Sequence, residues 1–189
     1  MKNMSSAWLE QNRLFLNLPT DQFLTILAYG EAGNQGAEGM MAVLNVVRNR
    51  TLDRSFYDEE IYSMTNDAYK AVGLKKWQFS MFNLNDPVRP KAETWASNFQ
   101  YNLNTNSAFR QAYEITQKLL DGTLVDNTGG ATNYYASYAG APSWSFVLSF
   151  IKRIGEHLFY AVSPASAEIP EPTSVEIETA SIIGEYETV

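Results

Sequence analysis

The 189-residue sequence contains no cysteine and only one histidine, His157. The absence of cysteine excludes a disulfide framework, a thiol nucleophile and thiolate metal ligands. A zinc site normally takes several histidine or cysteine ligands, so a lone histidine argues against a metallopeptidase or a zinc amidase. We therefore expect no metal and no cofactor, and we expect His157 to make a structural hydrogen bond.

Other catalytic signatures are missing as well. A Ser-His-Asp hydrolase would have to use His157, but the sequence has no Gly-x-Ser-x-Gly nucleophile elbow. It also lacks the glycine patterns that bind phosphates or dinucleotides. These absences disfavour serine hydrolases, nucleotide-dependent enzymes and dehydrogenases.

Long apolar runs and an excess of basic residues are absent too. No stretch approaches the roughly 20 apolar residues that a membrane span requires, and the first 18 residues show no secretory signal. The formal net charge of −7 and the pI of 4.7 argue against a nucleic-acid-binding protein. These features predict a chain that is cytoplasmic until it is released or joins a virion, and that neither spans a membrane nor binds nucleic acid.

The acidic residues are unevenly distributed along the chain. Residues 163–189 contain six Glu and no Lys or Arg, which leaves 14 basic and 15 acidic residues upstream. The composition therefore predicts one domain at residues 1–162 and an acidic tail or docking segment at 163–189, which could bind a protein partner.

Helical periodicity dominates the first part of the chain. Apolar residues at 23, 24, 27 and 28 predict one helix, and a second helix is predicted at 37–50, with Met40, Val43, Leu44 and Val47 inward. A third is predicted at about 107–121, with Leu120 among its inward residues and Gly122 as its cap. We expect a loop at 85–91 and a loop or short strand at 127–142. The expected fold class is mainly α (α+β), with a small β or loop region.

Glu31 occupies an unusual position for a carboxylate. It lies four residues after Leu27 and eight after Phe23, so helical spacing places it on the apolar stripe. Burial there would raise its pKa and keep it protonated near neutral pH, as a proton donor to a glycosidic oxygen must be. The alternatives are a solvated carboxylate at the helix end, or a salt bridge to Arg48 or Arg50.

Five sequence elements occur in order between residues 23 and 160, and together they resemble the spore-cortex-lytic, or cell wall hydrolase, family. The first is YGEA at 29–32, followed by a helix of the form Ala-Val-x-x-Val-x-x-Asn-Arg that ends at Arg50. The others are WQFS at 77–80, GGATNYY at 129–135, PSW at 142–144 and IGEHLFY at 154–160. Departures from the family pattern are Gln35, where Glu is common, and Asn133, where His is often found.

The resemblance implies a lysozyme-like fold that acts on peptidoglycan glycan strands, between N-acetylmuramic acid and N-acetylglucosamine. It implies Glu31 as the catalytic acid and then the base of a lytic transglycosylase, in which the sugar's own 6-hydroxyl closes a 1,6-anhydro ring. It favours substrate-binding roles for the WQFS residues Gln78, Phe79 and Ser80. Of Tyr134 and Tyr135, strand alternation suggests that one stacks on a sugar or holds Glu31 while the other serves the core. Trp144 is expected in the core.

A hydrolase would need a second carboxylate, about 6.5–9.5 Å from the acid for inversion or about 5–5.5 Å for retention. Glu38 is the nearest candidate in sequence and Asp86 is a weaker one, so the one-acid route is favoured. The missing signal and the acidic segment suggest a bacteriophage lysin (endolysin) or virion component. The alternative function is a non-catalytic glycan-binding or structural virion module that retains the fold.

Overall fold

The computed structural model describes residues 4–162, with side chains from residue 7 onward, and the predicted docking segment at 163–189 lies outside the described residues. Within this range the chain forms nine α-helices followed by a small antiparallel sheet. The helices are Met4–Gln11 (α1), Arg13–Leu16 (α2), Thr20–Ala32 (α3), Gly36–Arg50 (α4), Glu59–Thr65 (α5), Ala68–Gly73 (α6), Arg89–Ser97 (α7), Phe99–Thr105 (α8) and Ser107–Leu120 (α9). The strands are Asn133–Ala136 (β1), Ser149–Ile154 (β2) and His157–Ala161 (β3). The predicted fold class, mainly α with a small β region, is confirmed.

Helix α3 lies at the centre and contacts α4, α6, α7 and α9. Its predicted apolar stripe is fully buried, because residues spaced by three or four share one helix face. The helix ends at Ala32, and a 3-10 turn at Gly33–Gln35 leads to Gly36. The backbone angles of Gly36, φ 70° and ψ −167°, belong to a region open essentially only to glycine. This turn brings the start of α4 beside the last turn of α3.

Helix α4 agrees with its prediction to within one residue and buries all four expected apolar side chains. Its opposite side is amide-rich. Asn45 donates a hydrogen bond to the Val125 carbonyl at 3.0 Å, and Asn49 donates one to the Ala131 carbonyl at 3.0 Å. These bonds fix the loop that leads into β1.

Helix α9 is confirmed in extent, but one inward residue was wrong. Leu120 was expected in the core, yet it is 41% exposed, while Leu119 is 3% exposed. The last turn lies at the edge of the helix face, where a difference of one residue decides which side chain turns inward. Gly122 follows with φ 80° and donates its N–H to the Leu119 carbonyl, as expected of a helix cap.

The region between α4 and α9, which showed no clear periodicity, contains four short helices. The side chains of Asp58 and Asp67 cap the N-termini of α5 and α6. The loop predicted at 85–91 was too long, because α7 begins at Arg89. Proline is compatible with the first turn of a helix, so Pro90 did not mark a loop there.

The strand order in the sheet is β1-β3-β2. Tyr134 on β1 pairs with Phe159 on β3, and this face packs on α4 through Ala42, Val46 and Phe159. The sheet therefore carries Tyr134 to the end of α3. None of the helices in the described range is long and apolar enough to cross a membrane.

Candidate active site

Glu31 lies in the last turn of α3, half-buried between the helical core and the sheet. Burial raises the pKa of its carboxyl above the usual 4.5, and the charge of Asp86 raises it further. A hydrogen bond from Tyr134, the main-chain amide of Met81 and the charge of Arg50 lower the pKa in part. The net increase keeps the group protonated to a higher pH than an ordinary glutamate, while its partial exposure leaves it open to a ligand.

Tyr134 supports this carboxyl directly. Its hydroxyl donates a hydrogen bond of 2.7 Å to Glu31 Oε2. Burial, followed by the charge of Glu31, raises the pKa of Tyr134 well above its usual value, so the phenol remains a donor. The ring is held by Phe159 and His157, with centroids 5.6 Å and 5.0 Å away. The phenolic bond suggested by strand alternation is therefore present.

Arg50 lies behind this pair, at the end of α4. Its guanidinium packs over the rings of Phe56 and Phe79, 5.4 Å and 5.2 Å from their centroids, and its Nε donates to the Thr132 carbonyl at 2.6 Å. Burial lowers the pKa of Arg50 to about 10, so it stays charged at neutral pH. Among the described residues it forms no ion pair with Glu31 within 4.0 Å. Its charge therefore favours the Glu31 carboxylate from a distance.

The WQFS residues have different environments. Phe79, expected to touch substrate, is 2% exposed and lies in the core beneath Arg50, so its ring supports the site from within. Ser80 is exposed and Gln78 is half-buried, and within the described part of the chain neither side chain makes a hydrogen bond. Both are free to bind a ligand. The main-chain amide of Met81, which follows them, acts on the Glu31 carboxyl.

Tyr135 points to the opposite side of the sheet from Tyr134, as alternation requires. Its ring stacks on Tyr160 at 5.8 Å and meets Trp144 edge-on at 5.8 Å. It is therefore not a neighbour of Glu31. Trp144, expected in the core, is half-buried against this outer aromatic group.

The two candidate second carboxylates differ in their effect on Glu31. Glu38 is exposed in the first turn of α4 and is not among the charges that shift the pKa of Glu31. Asp86, which the sequence ranked lower, does shift it. One Asp86 oxygen already accepts the Val88 N–H at 2.8 Å.

Among the described residues, the His157 side chain does not make the expected structural hydrogen bond. It is buried, and its Nδ1 has no partner within the described range. Burial lowers its pKa, so the ring is neutral near pH 7 and packs against Tyr134 as a flat apolar surface. The described residues contain no group of His, Cys, Asp or Glu that could hold a metal ion.

The two departures from the family pattern take structural roles. The Gln35 side chain donates to Glu156 Oε2 at 3.2 Å and accepts the Glu156 N–H at 2.9 Å. It thereby ties the turn between α3 and α4 to the β2–β3 hairpin. Asn133 accepts a 3.0 Å hydrogen bond from the Thr132 hydroxyl next to it.

Sequence reasoning missed Met81, and it named Asp86 only as the weaker candidate for a second carboxylate. Met81 acts through its main-chain amide, which carries no residue-type signal. Asp86 is 55 positions from Glu31, and no periodicity relates two residues across several intervening helices. Arg50 was noted only as part of a motif and as a salt-bridge candidate.

Two solved structures have a fold similar to that of this chain. The structure is similar to the catalytic domain of the Bacillus cereus SleB protein, with a TM-score of 0.50 and 23% identity, over 77% of this chain and 96% of that one. It is also similar to the catalytic domain of the germination-specific lytic transglycosylase SleB from Bacillus anthracis, with a TM-score of 0.50 and 22% identity, over 77% and 98% of the two chains. No curated protein matches the chain.

The sequence profile described as Cell Wall Hydrolase matches residues 34–160, about two thirds of the chain. The match covers α4, the segment from Gln78 to Asp86, β1, β2 and β3 as far as Tyr160. This match over more than half of the sequence shows that the chain belongs to the cell wall hydrolase family.

Proposed function

We propose that this protein degrades peptidoglycan by cleaving the glycan strand between N-acetylmuramic acid and N-acetylglucosamine, with Glu31 as general acid. Family membership supports the cell wall as the target. The observation that carries the proposal is the Glu31 carboxyl itself, whose pKa is raised by burial and which accepts a 2.7 Å hydrogen bond from Tyr134. A carboxyl that stays protonated to a higher pH than an ordinary glutamate and is open to a ligand is suited to protonate a leaving oxygen.

In the first step, protonated Glu31 donates its proton to the bridging oxygen as the bond from that oxygen to the sugar carbon breaks. Positive charge develops on the sugar ring, and Glu31 becomes a carboxylate. The Tyr134 hydroxyl and the charge of Arg50 both stabilise this carboxylate. The site thus balances burial, which favours the acid, against two groups that favour its conjugate base.

In the second step, the Glu31 carboxylate accepts the proton of the 6-hydroxyl of N-acetylmuramic acid. That oxygen attacks the same sugar carbon and closes a 1,6-anhydro ring, which restores the protonated acid. One carboxyl therefore acts as acid and then as base, with no water consumed.

The transglycosylase route is supported by the carboxylates around Glu31. Glu38 is exposed in the first turn of α4 and is not among the main groups that shift the pKa of Glu31, and Asp86 already accepts a main-chain hydrogen bond with one oxygen. A glycoside hydrolase requires a second carboxylate held opposite the acid to activate water or to attack the sugar. Neither residue has the contacts of such a partner.

Zymography on purified peptidoglycan with Glu31→Gln tests the proposal, with Glu38→Gln as the matched control. Both variants replace a carboxylate by its amide, but Glu31 accepts the Tyr134 hydrogen bond, whereas Glu38 is exposed in the first turn of α4. We expect clearing by the wild type and by Glu38→Gln, and none by Glu31→Gln. Clearing by all three proteins would contradict the role of Glu31. Binding by the wild type without clearing would instead support the non-catalytic glycan-binding module.

The phage origin and the docking role of residues 163–189 stay predictions. Deletion of these residues should leave clearing of purified peptidoglycan intact and should abolish attachment of the protein to its partner. Unchanged attachment would contradict the docking role.

A further inference from the structure

A concave site lies between α1 and the segment 76–87. It is a cavity of about 530 Å³, within the range of about 300–1,000 Å³ that is typical of small-molecule pockets. Its apolar surface comes from Trp8, Trp77, Leu84 and Pro87. Helix α1, which carries Trp8, is outside residues 34–160 matched by the family profile. The cavity is therefore built partly from sequence that the family match does not describe.

Hydrogen bonds hold the two walls of the cavity together. On one side, the Trp8 indole N–H donates to the Leu74 carbonyl at 2.8 Å. On the other side, the buried Arg89 guanidinium donates to the carbonyls of Phe82 and Gln11. These bonds connect α1 to the segment 74–89, so the cavity is formed before any ligand binds.

Trp77 is the unusual member of this lining. Its indole is 74% exposed, and its backbone has φ 71°, a left-handed conformation that is uncommon for residues other than glycine. Neither exposure nor left-handed backbone favours a tryptophan for stability. Strain of this kind is concentrated at functional sites, where it places a side chain for use. Here it presents an aromatic face at the mouth of the cavity.

The polar groups of the cavity suit a sugar. Asn83 lines the cavity, and its amide side chain is uncharged. Gln11 and Asn85 add further amide groups, and the single charges of Lys76 and Asp86 offset each other. An aromatic face with neutral amides matches a saccharide, whereas a carboxylate-rich stem peptide would require net positive charge.

The same segment borders both sites. The amide of Met81 acts on the Glu31 carboxyl, and two residues later Asn83 lines the cavity. Asp86 lines the cavity and its charge also reaches Glu31. A linear ligand bound at Glu31 can therefore continue along the segment into the cavity.

We propose that this cavity is a second saccharide subsite, which binds a sugar of the same glycan strand away from the bond that Glu31 cleaves. The inference rests on the proposed function, since it takes the glycan strand as the ligand. The subsite makes the enzyme prefer long strands over short ones, and Trp77 provides its stacking surface.

The test measures binding in the Glu31→Gln background, so that no strand is cut during the measurement. The probes are long peptide-free glycan strands, the same strands with stem peptides, and short fragments of one disaccharide unit. The variants are Trp77→Ala and Trp77→Gly, and the control is Tyr101→Ala, which removes an aromatic side chain that is 69% exposed and does not line the cavity.

Both Trp77 variants should weaken binding of both kinds of long strand by roughly three- to tenfold, the effect of one aromatic contact, and should leave the short fragment and the control unchanged. Trp77→Gly should melt about 2–4 °C above Trp77→Ala, because glycine relieves the left-handed strain. If Trp77→Ala and Trp77→Gly lose the same affinity for long strands although their melting temperatures differ, the loss is due to removal of the indole and not to misfolding.

Unchanged binding of long strands in the Trp77 variants would overturn the subsite. A loss confined to peptide-bearing strands would also overturn it, since the ligand would then be the stem. The two failures are distinguishable: clearing of peptidoglycan by the Glu31→Gln protein contradicts the role of Glu31, whereas equal binding of long strands by the Trp77 variants and by Glu31→Gln alone, with no strand cut, contradicts the subsite.

Discussion

The hydrogen bond from Tyr134 to Glu31 gives a prediction with a definite sign. The bond favours the carboxylate, so Tyr134→Phe should raise the pKa of Glu31. A hydrogen bond to a charged group contributes about 1.5–3 kcal/mol. At about 1.4 kcal/mol per pH unit, its loss corresponds to an upward shift of about one to two units.

The assay is the pH dependence of kcat/KM on solubilised glycan strands. The general acid must be protonated, so activity falls on the alkaline side as Glu31 ionises, and this limb should move to higher pH in Tyr134→Phe. The plateau should also fall, because a carboxyl with a higher pKa is a weaker acid. Tyr135→Phe, whose hydroxyl faces Tyr160 on the other side of the sheet, should leave the limb in place. An unmoved or lowered limb in Tyr134→Phe would refute the reasoning.

Three further predictions concern the same core and site. Asp86→Asn removes a charge that raises the pKa of Glu31, so its alkaline limb should move down while anhydro products persist; a fall in kcat of about 10²–10⁴ would instead make Asp86 a catalytic base. The pKa of Glu31 in the folded state lies above its ordinary 4.5. Ionisation of Glu31 therefore lowers the free energy of unfolding as the pH rises from 4.5 through the folded-state pKa. Glu31→Gln should therefore raise Tm at neutral pH and have little effect below pH 4.5, and calorimetry showing a lower neutral Tm would contradict burial. In Gly73→Ala the new Cβ would lie 2.6 Å from the Phe23 ring, so urea denaturation should show a loss of about 1–3 kcal/mol.

The features that the sequence predicted best are those with a regular period. The partly buried position of Glu31 was predicted because it shares the stripe of Phe23 and Leu27, but that stripe alone also allowed a solvated or ion-paired carboxylate, and the catalytic role was predicted from the family resemblance of YGEA. Tyr134 and Tyr135 were separated because a strand alternates, and the structure directs one to Glu31 and the other to Tyr160. Helix and strand periodicity thus predicted the face on which Glu31 lies and the opposite directions of Tyr134 and Tyr135.

The features that it predicted poorly depend on contacts between distant segments. The charge of Asp86 reaches Glu31 only because α6 and α7 pack against α3, and no local pattern encodes that approach. Phe79 shares a motif with Gln78 and Ser80, but its ring turns into the core under Arg50. The short helices at 59–105 are held by caps and tertiary packing, so they show little periodicity of their own.

The pKa of Glu31 is set by opposing effects whose relative size could not be predicted from the sequence alone. Burial and Asp86 favour the protonated acid, while Tyr134, Met81 and Arg50 favour the carboxylate. An acid that must first donate and then recover a proton requires both tendencies. The net effect raises the pKa of Glu31 above its ordinary value, while Tyr134, Met81 and Arg50 still stabilise the ionised carboxylate.

Mass spectrometry of the fragments released from purified peptidoglycan tests the central claim most directly. The account predicts that the wild-type protein releases fragments ending in 1,6-anhydro-N-acetylmuramic acid and that Glu31→Gln releases none. Release of the same fragments by Glu31→Gln at the wild-type rate would contradict it, because the proton would then come from another group.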